Sequence, residues 1–498
     1  MLYNVLQYLE KQEKENSDKK AIIEKDGEFI TFSQLARKAR EVGSFLGQYK
    51  LKNKAIPVFT NQSINSIILF FGVLYSGNYY VPIDVETPRE RIKLIIDSCN
   101  AQVCCGSEVS FDKTEIPYVT ISQMLGQEDE QFIDSIRKSH VIKNPLYMVY
   151  TSGSTGVPKG VIKSHSSMIN FIESFVETFE IKEEVIANQT PFYFDASSKD
   201  IYLMLKTGST LNIVPKELFM FPVKLIDFLN ERRVSYICWV PSALAILSQL
   251  NAFKTKTLDY VKNVFFVGEV MQIKHLNYWR NKLPNVRYVN LYGSSEMAGI
   301  CSYYIIDKEF DLEEKLPIGK PLLGTEMFLL DEEDKLVTGS GVGEICVRSP
   351  LLADGYFGDK EKTNKVFVNN ALNDEYLDLI LKTGDLGQYD QEGNIVYVAR
   401  KDFQIKHMGH RIELTEIEMY ANALEFIDAS CCVYDQKRNK LVLFFTLSSE
   451  IEDVNKEITT RLKTKLPEYM IPNRYIKLES MPKNKNGKID RTNLKNLI

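Results

Sequence analysis

Residues 146–160 read LYMVYTSGSTGVPKG and hold the densest chemistry in the chain. A β-rich run, YMVY, opens into Thr151, Ser152, Gly153, Ser154, Thr155 and Gly156, followed by Pro158, Lys159 and Gly160. Glycines let backbone N–H groups turn toward an anion, and hydroxyls add donors, so the pattern predicts a phosphate-binding loop. It is not a Walker A loop. Pro158 stands where the second glycine would be required, and Gly160 follows the lysine where that motif needs Ser or Thr. Further polar clusters recur at predicted strand ends: Asp195 in YFDASSKD, Glu296 in NLYGSSEM, Asp385 in LKTGDL and Lys488 in NGKID. Singly, each suits a turn or a cap. Together they supply what nucleotide chemistry uses: an anion loop, a carboxylate for Mg2+, another for ribose hydroxyls, and a mobile lysine.

Open α/β sheets place ligands at the carboxyl ends of their strands, so these residues call for a sheet scaffold. The text supplies one. From residue 21 to about 347, helix-period stretches alternate with short β-rich runs: QLARKAREVGSFL, AIPVF, INSIILFFGVLYSG, YYVPI, then TLNIVP, VKLIDFLNERR, YICWV, ALAILSQL, NVFFV and VRYVNLYG. This is the βαβ rhythm of parallel sheets flanked by helices. Past Ile318, short strands and turns (MFLLDEEDKLV, GVGEICVRSP, GNIVYVARKD) predict a smaller β-rich unit. Residues 413–498 read helix, strand, strand, helix, strand, a compact α+β unit, and the seam falls at residues 400–402. The expected fold is therefore α/β, with a large N-terminal domain over residues 1–400 and a small mobile α+β domain over residues 401–498.

Composition narrows the class. At 498 residues, 44% hydrophobic and 26% charged, the chain is neither disordered nor collagenous and has length for about three structural units. The longest apolar run, residues 67–75, contains Gly72 and is far shorter than the roughly 20 residues needed to cross a bilayer. The opening MLYNVLQYLEKQEKEN mixes acids and lysines where a signal peptide would be apolar, so it reads as an amphipathic helix. These features predict a cytoplasmic protein with no membrane partner. The formal charge of −5, without a basic stripe, argues against nucleic acid. Eight cysteines without C-x-x-C or zinc-ligand spacing predict buried free thiols.

With these motifs on the page, the chain resembles the adenylate-forming superfamily, which includes nonribosomal peptide synthetase adenylation domains, acyl-CoA synthetases and luciferases. The resemblance spans essentially the whole chain in motif order: ITFSQL (30–35), YSGNYYVPID (75–84), the phosphate loop, FDAS (194–197), NLYGSSE (290–296), GEICVRSPLLADGYFG (343–358), KTGDL (382–386), ARKDFQIKHMGHRIELTEIE (399–418), LPEYMIP (466–472) and NGKIDR (486–491). YVPID, RIELTEIE, LPEYMIP and NGKIDR resemble the amino-acid-activating branch. NQTPFYFDAS and VGEVM look closest to the stand-alone D-alanine–carrier protein ligases, although Val267 stands where those tend to carry cysteine.

The resemblance implies an AMP-forming ligase that takes ATP, Mg2+ and an amino acid. It then passes the acyl group to the phosphopantetheine arm of a separate peptidyl carrier protein. Residues 151–159 would hold the β- and γ-phosphates, Glu296 the Mg2+, Tyr292 the adenine, and Asp385 with Arg400 the ribose, with Gly293 and Ser295 also binding the nucleotide. Lys488 would bridge the substrate carboxylate and the α-phosphate, stabilising the charge that gathers there. The small domain would swing about Asp402, replacing Lys488 with the segment around Gly409. Around the substrate the family pattern sets Asp195, for an α-ammonium, with Ala196, Lys199, Trp239, Phe265, Val267, Leu291, Gly299 and Ile300. Trp239 in the pocket would favour a small side chain, whereas Lys199 would suit an acidic one unless it snorkels to solvent. An acyl-CoA or aryl-CoA synthetase is the alternative enzyme, and Asp195 argues against it because a buried carboxylate needs a cation. A non-catalytic nucleotide-binding protein on the same fold is the alternative of another class.

Overall fold

The computed structural model of the protein describes residues 2–107, 114–152, 158–401, 404–449, 451–483 and 489–498. Gly153, Ser154, Thr155, Gly156, Asp402 and Lys488 lie outside the described residues.

Among the described residues the strands form five sheets. The largest is built on the parallel strands Lys20–Ile23, Thr210–Ile213, Val185–Asn188, Tyr236–Trp239, Asn263–Val267 and Arg287–Tyr292. Antiparallel strands close it at both edges: Phe29–Thr31 on one side, Ser302–Ile305 and Lys320–Pro321 on the other. A second sheet runs parallel through Tyr118–Thr120, Cys104–Gly106, Ala55–Thr60, Tyr79–Asp84 and Pro145–Thr151, and ends on antiparallel Lys159–Ser164. Parallel sheets need helices on their faces, and the segments between these strands provide them. Helix Ile64–Tyr75 is buried along nearly its whole length, so the longest apolar run of the sequence is a core helix. It crosses helix Phe32–Leu46 so closely that a Cβ on Gly72 would lie 2.2 Å from Val42 Cγ1. Only glycine fits such a crossing.

The expected β-rich unit is an antiparallel sheet of Glu326–Leu330, Val342–Arg348, Leu379–Tyr389, Phe367–Asn369 and Ile395–Arg400. Beyond it, the polar stretch KDFQIKHMGHR proves to be partly a β-hairpin, Gln404–His407 paired with His410–Glu413. Its two turn residues, Met408 and Gly409, both have positive φ (51° and 79°), the conformation a two-residue hairpin turn of matching twist demands. Helix Leu414–Asn422, strands Ile427–Asp435 and Lys440–Leu447, helix Val454–Lys463 and strand Arg474–Lys477 follow in the predicted order, around a hydrophobic cluster of their own. All eight cysteines are buried and free. No helix among the described residues is long and apolar enough to cross a membrane.

Candidate active site

The site forms where strand ends of the two large sheets face the hairpin Gln404–His407/His410–Glu413. A cavity of about 130 Å³ lies there, lined on one side by Asp195, Ala196, Lys199, Val267, Gly299 and Ile300. Thr151, Ser152, Gly293, Ser295 and Arg400 line it too, together with Gly409, His410 and Arg411 from the hairpin.

Asp195 is the first residue of helix Asp195–Thr207, where the helix dipole favours a negative charge. Its carboxylate has a cation already. Lys163 Nζ donates to both oxygens, at 3.2 Å and 3.0 Å, and Tyr147 donates to Oδ1 at 2.7 Å. Lys163 itself is 0% exposed and gives its remaining hydrogen bond to the Met297 carbonyl at 2.6 Å. Asp195 thus lines the cavity with Lys163 already beside it, so a lone buried carboxylate gives no argument against acyl-CoA chemistry.

Lys199 does not snorkel to solvent. It is 3% exposed and its ammonium pairs with Asp200, which also accepts from Asn188 Nδ2 at 3.0 Å. Burial opposes its charge, but the Asp200 carboxylate wins and raises the lysine pKa. Three further pocket assignments fail on geometry. Along strand Tyr236–Trp239 successive side chains alternate faces: Tyr236 and Cys238 join the cluster behind the cavity, whereas Ile237 and Trp239 face the opposite cluster. Trp239 packs against Phe219 and donates to the Ala187 carbonyl at 2.8 Å. Phe265 stacks among Phe179, Phe175 and Tyr236, and Leu291 is buried in the same cluster, so neither reaches the cavity wall.

On the nucleotide side the structure brings Tyr292, Asp385 and Arg400 together. Register pairs Asp385 with Arg400 across adjacent strands, and Arg400 Nη1 meets Asp385 Oδ1 at 2.8 Å. The Tyr292 hydroxyl donates to Asp385 Oδ2 at 2.5 Å. Thr151 and Lys159 face each other at the mouth of the antiparallel pair that carries the phosphate-loop motif. Lys362 lies beside Lys159 with its ammonium 4.5 Å from the centre of the Tyr356 ring, and burial together with the Lys159 charge pushes its pKa down to about 7.

Glu296 is held by the hairpin. Arg411 Nη1 donates to both its oxygens, at 2.7 Å and 2.6 Å, and Tyr356 donates to Oε1 at 2.5 Å. Burial opposes ionisation, but the Arg411 charge and these hydrogen bonds hold the carboxyl well below the usual range. A hard divalent cation needs several open oxygen ligands. With the hairpin in this position Arg411 fills the Glu296 oxygens that Mg2+ would use, and among the described residues no group of three or more His, Cys, Asp or Glu side chains is placed to hold a metal. Ser152 is engaged by the same strand: its hydroxyl donates to the Arg411 carbonyl at 2.9 Å and accepts from Glu413 N at 3.0 Å.

Sequence reasoning passed over Lys163, Tyr147, Tyr356, Lys362, His410 and Arg411. Strand parity was the available signal for one of them: Lys163 shares a face with the buried Val161. Gly409 lines the cavity, its N–H donating to Glu269 Oε1 at 2.9 Å.

This strand-end cluster sits on a two-sheet α/β scaffold with a β-rich unit beside it. Residues 9–357 match the family described as AMP-binding enzyme, and the chain belongs to it. It is 29% identical over 505 residues to the D-alanine--D-alanyl carrier protein ligase of Bacillus cytotoxicus, covering 98% of each chain. It is 31% identical over 470 residues to bacitracin synthase 1 of Bacillus licheniformis, covering 93% of this chain and 9% of that much longer protein. Among solved structures, IdnL1 superposes with a TM-score of 0.81 at 26% identity, covering 97% of this chain and 99% of the other. The protein is an AMP-forming ligase.

Proposed function

We propose that the protein is an amino acid–carrier protein ligase: it joins a small amino acid to AMP at the expense of ATP, then passes the acyl group to the phosphopantetheine thiol of a separate carrier protein. One observation carries this reading. The hairpin bearing Gly409 and Arg411 engages Ser152 and Glu296, two groups assigned to the triphosphate end of the nucleotide. Hairpin and polyphosphate would therefore occupy this region in turn, as a ligase with two successive half-reactions requires. The whole-length likeness to a D-alanine–carrier protein ligase supports the acceptor. On this reading residues 401–498 form the mobile domain, and Lys488 enters for the first step only. Tyr292, Asp385 and Arg400 hold adenosine, and Thr151, Ser152, Lys159 and Lys362 hold phosphates. Attack of the substrate carboxylate on the α-phosphorus gives acyl-AMP and pyrophosphate, and attack of the thiol on the acyl carbon releases AMP.

The test is pyrophosphate exchange dependent on added acid, across a panel of L-, D- and β-amino acids, followed by loading of a phosphopantetheinylated carrier. Exchange stimulated by a small amino acid, with a hydroxylamine-sensitive thioester on the carrier, is expected. Transfer to free coenzyme A in preference to any carrier contradicts the reading.

A further inference from the structure

We propose that Lys163 is a specificity-determining residue that supplies, from within the protein, the positive charge Asp195 would otherwise demand of the substrate, so that the site does not depend on an α-ammonium and takes 2-hydroxy acids as well as amino acids. This rests on the reading that the cavity beside Asp195 receives the α-substituent.

A carboxylate offers about four acceptor positions. Three are filled: Tyr147 and Lys163 on Oδ1 and Lys163 again on Oδ2. The Lys163 ammonium is itself fully used, by both Asp195 oxygens and the Met297 carbonyl, and it cannot retreat to solvent because it is completely buried. Removing either member would leave the other without its partner. What faces the cavity is therefore a neutral ion pair with one acceptor position left on Oδ2. The second charged pair at the cavity wall, Lys199 with Asp200, is closed as well. An α-ammonium entering here would find Asp195 already shared with Lys163 and gain little from its charge. An α-hydroxyl needs only one acceptor, and Oδ2 provides it. Lys163 also occupies the strand position, on the face of Val161, where an apolar side chain would leave Asp195 unpaired.

The experiment compares matched pairs, alanine with lactate and glutamate with 2-hydroxyglutarate in both stereoisomers, by pyrophosphate exchange. In the wild type, the hydroxy acid of at least one pair is expected to reach a kcat/KM within tenfold of its amino acid, or above it. Lys163→Met is expected to move that ratio at least tenfold toward the amino acid. Because this variant leaves Asp195 buried without a partner and can fail to fold, Lys163→Met/Asp195→Asn, which removes both charges together, is the second variant, and it is expected to retain the hydroxy acid. A wild-type preference above tenfold for the amino acid in every pair overturns the proposal. So does an unchanged ratio in folded Lys163→Met, or loss of the hydroxy acid in the double variant. Exchange with no acid of the panel overturns the carboxylate-activation reading itself, and this inference with it.

Discussion

Trp239 and Asp195 separate packing from specificity at the scale of single residues. Trp239 fills space on the far side of its strand, with its indole N–H bonded to the Ala187 carbonyl. Trp239→Ala is therefore expected to cost about 3–5 kcal/mol of stability, the usual range for emptying a large aromatic site, and to leave the ranking of acid substrates unchanged. Denaturant unfolding and the exchange panel check both halves, and a widened substrate range would return Trp239 to the pocket. Asp195→Ala is expected to lower stability as well, by about 3–5 kcal/mol, because it strands the Lys163 ammonium in the core. Had Asp195 no resident partner, its loss would weaken substrate binding with stability intact. Residue types and spacing picked out Asp195 and Gly409, which line the cavity, and Asp385, which meets Tyr292 and Arg400. They gave no warning of which side of a strand a given residue faces, and the assignment of Trp239 failed there. Applying the two-residue alternation to YICW would have set Trp239 on the face away from Tyr236 and Cys238. The same count applied to KGVIKS would have flagged a lysine on a buried face.

The elements that matter most are the hairpin Gln404–His407/His410–Glu413 and the corner where Lys159 meets Lys362. Arg411 ties the hairpin to Glu296 through two charge-assisted hydrogen bonds. Arg411→Ala is expected to reduce thioester formation at least tenfold while pyrophosphate exchange falls far less, read by single-turnover carrier loading beside exchange. Equal losses would mean that the arginine serves both steps. The lysine corner carries a pH signature. Lys362 is half neutral near pH 7 in the free protein, and a bound polyphosphate favours its charged form. Nucleotide binding should therefore take up a proton above pH 7, and ATP affinity should fall as pH rises through and beyond that value. Calorimetry in buffers of different ionisation enthalpy measures the proton, and Lys362→Met should abolish it. Most elements were legible because apolar periodicity marks helices and buried parallel strands clearly. The hairpin was not, because KDFQIKHMGHR lies mostly between units and shows no strong alternation. Its strand character comes from tertiary contact and from the two left-handed turn residues.

Across the whole molecule, a buried ion pair fixes how the C-terminal part sits. Arg91, on helix Arg89–Cys99, meets Glu416, on helix Leu414–Asn422, at 2.7 Å with both side chains nearly inaccessible. Removing one partner of such a pair strands the other charge. Arg91→Met is therefore expected to depopulate this arrangement, slowing carrier loading more than adenylation. The order of units was readable from the change in rhythm after Ile318 and again after residue 412. Their mutual placement was not, because it depends on contacts such as Arg91–Glu416, separated by 325 positions. The central claim, that one site performs two steps with different parts of the chain, is tested most directly at Gly409. Its φ is 79°, and an added Cβ would lie 2.8 Å from Val240 Cγ1 and 3.9 Å from Phe194, so a side chain there should exclude the hairpin and leave the nucleotide groups untouched. Gly409→Leu, assayed for pyrophosphate exchange and for transfer from preformed acyl-AMP to the carrier, should keep exchange within about threefold of wild type and lose transfer at least a hundredfold, and parallel loss of both, or wild-type transfer, would contradict the account.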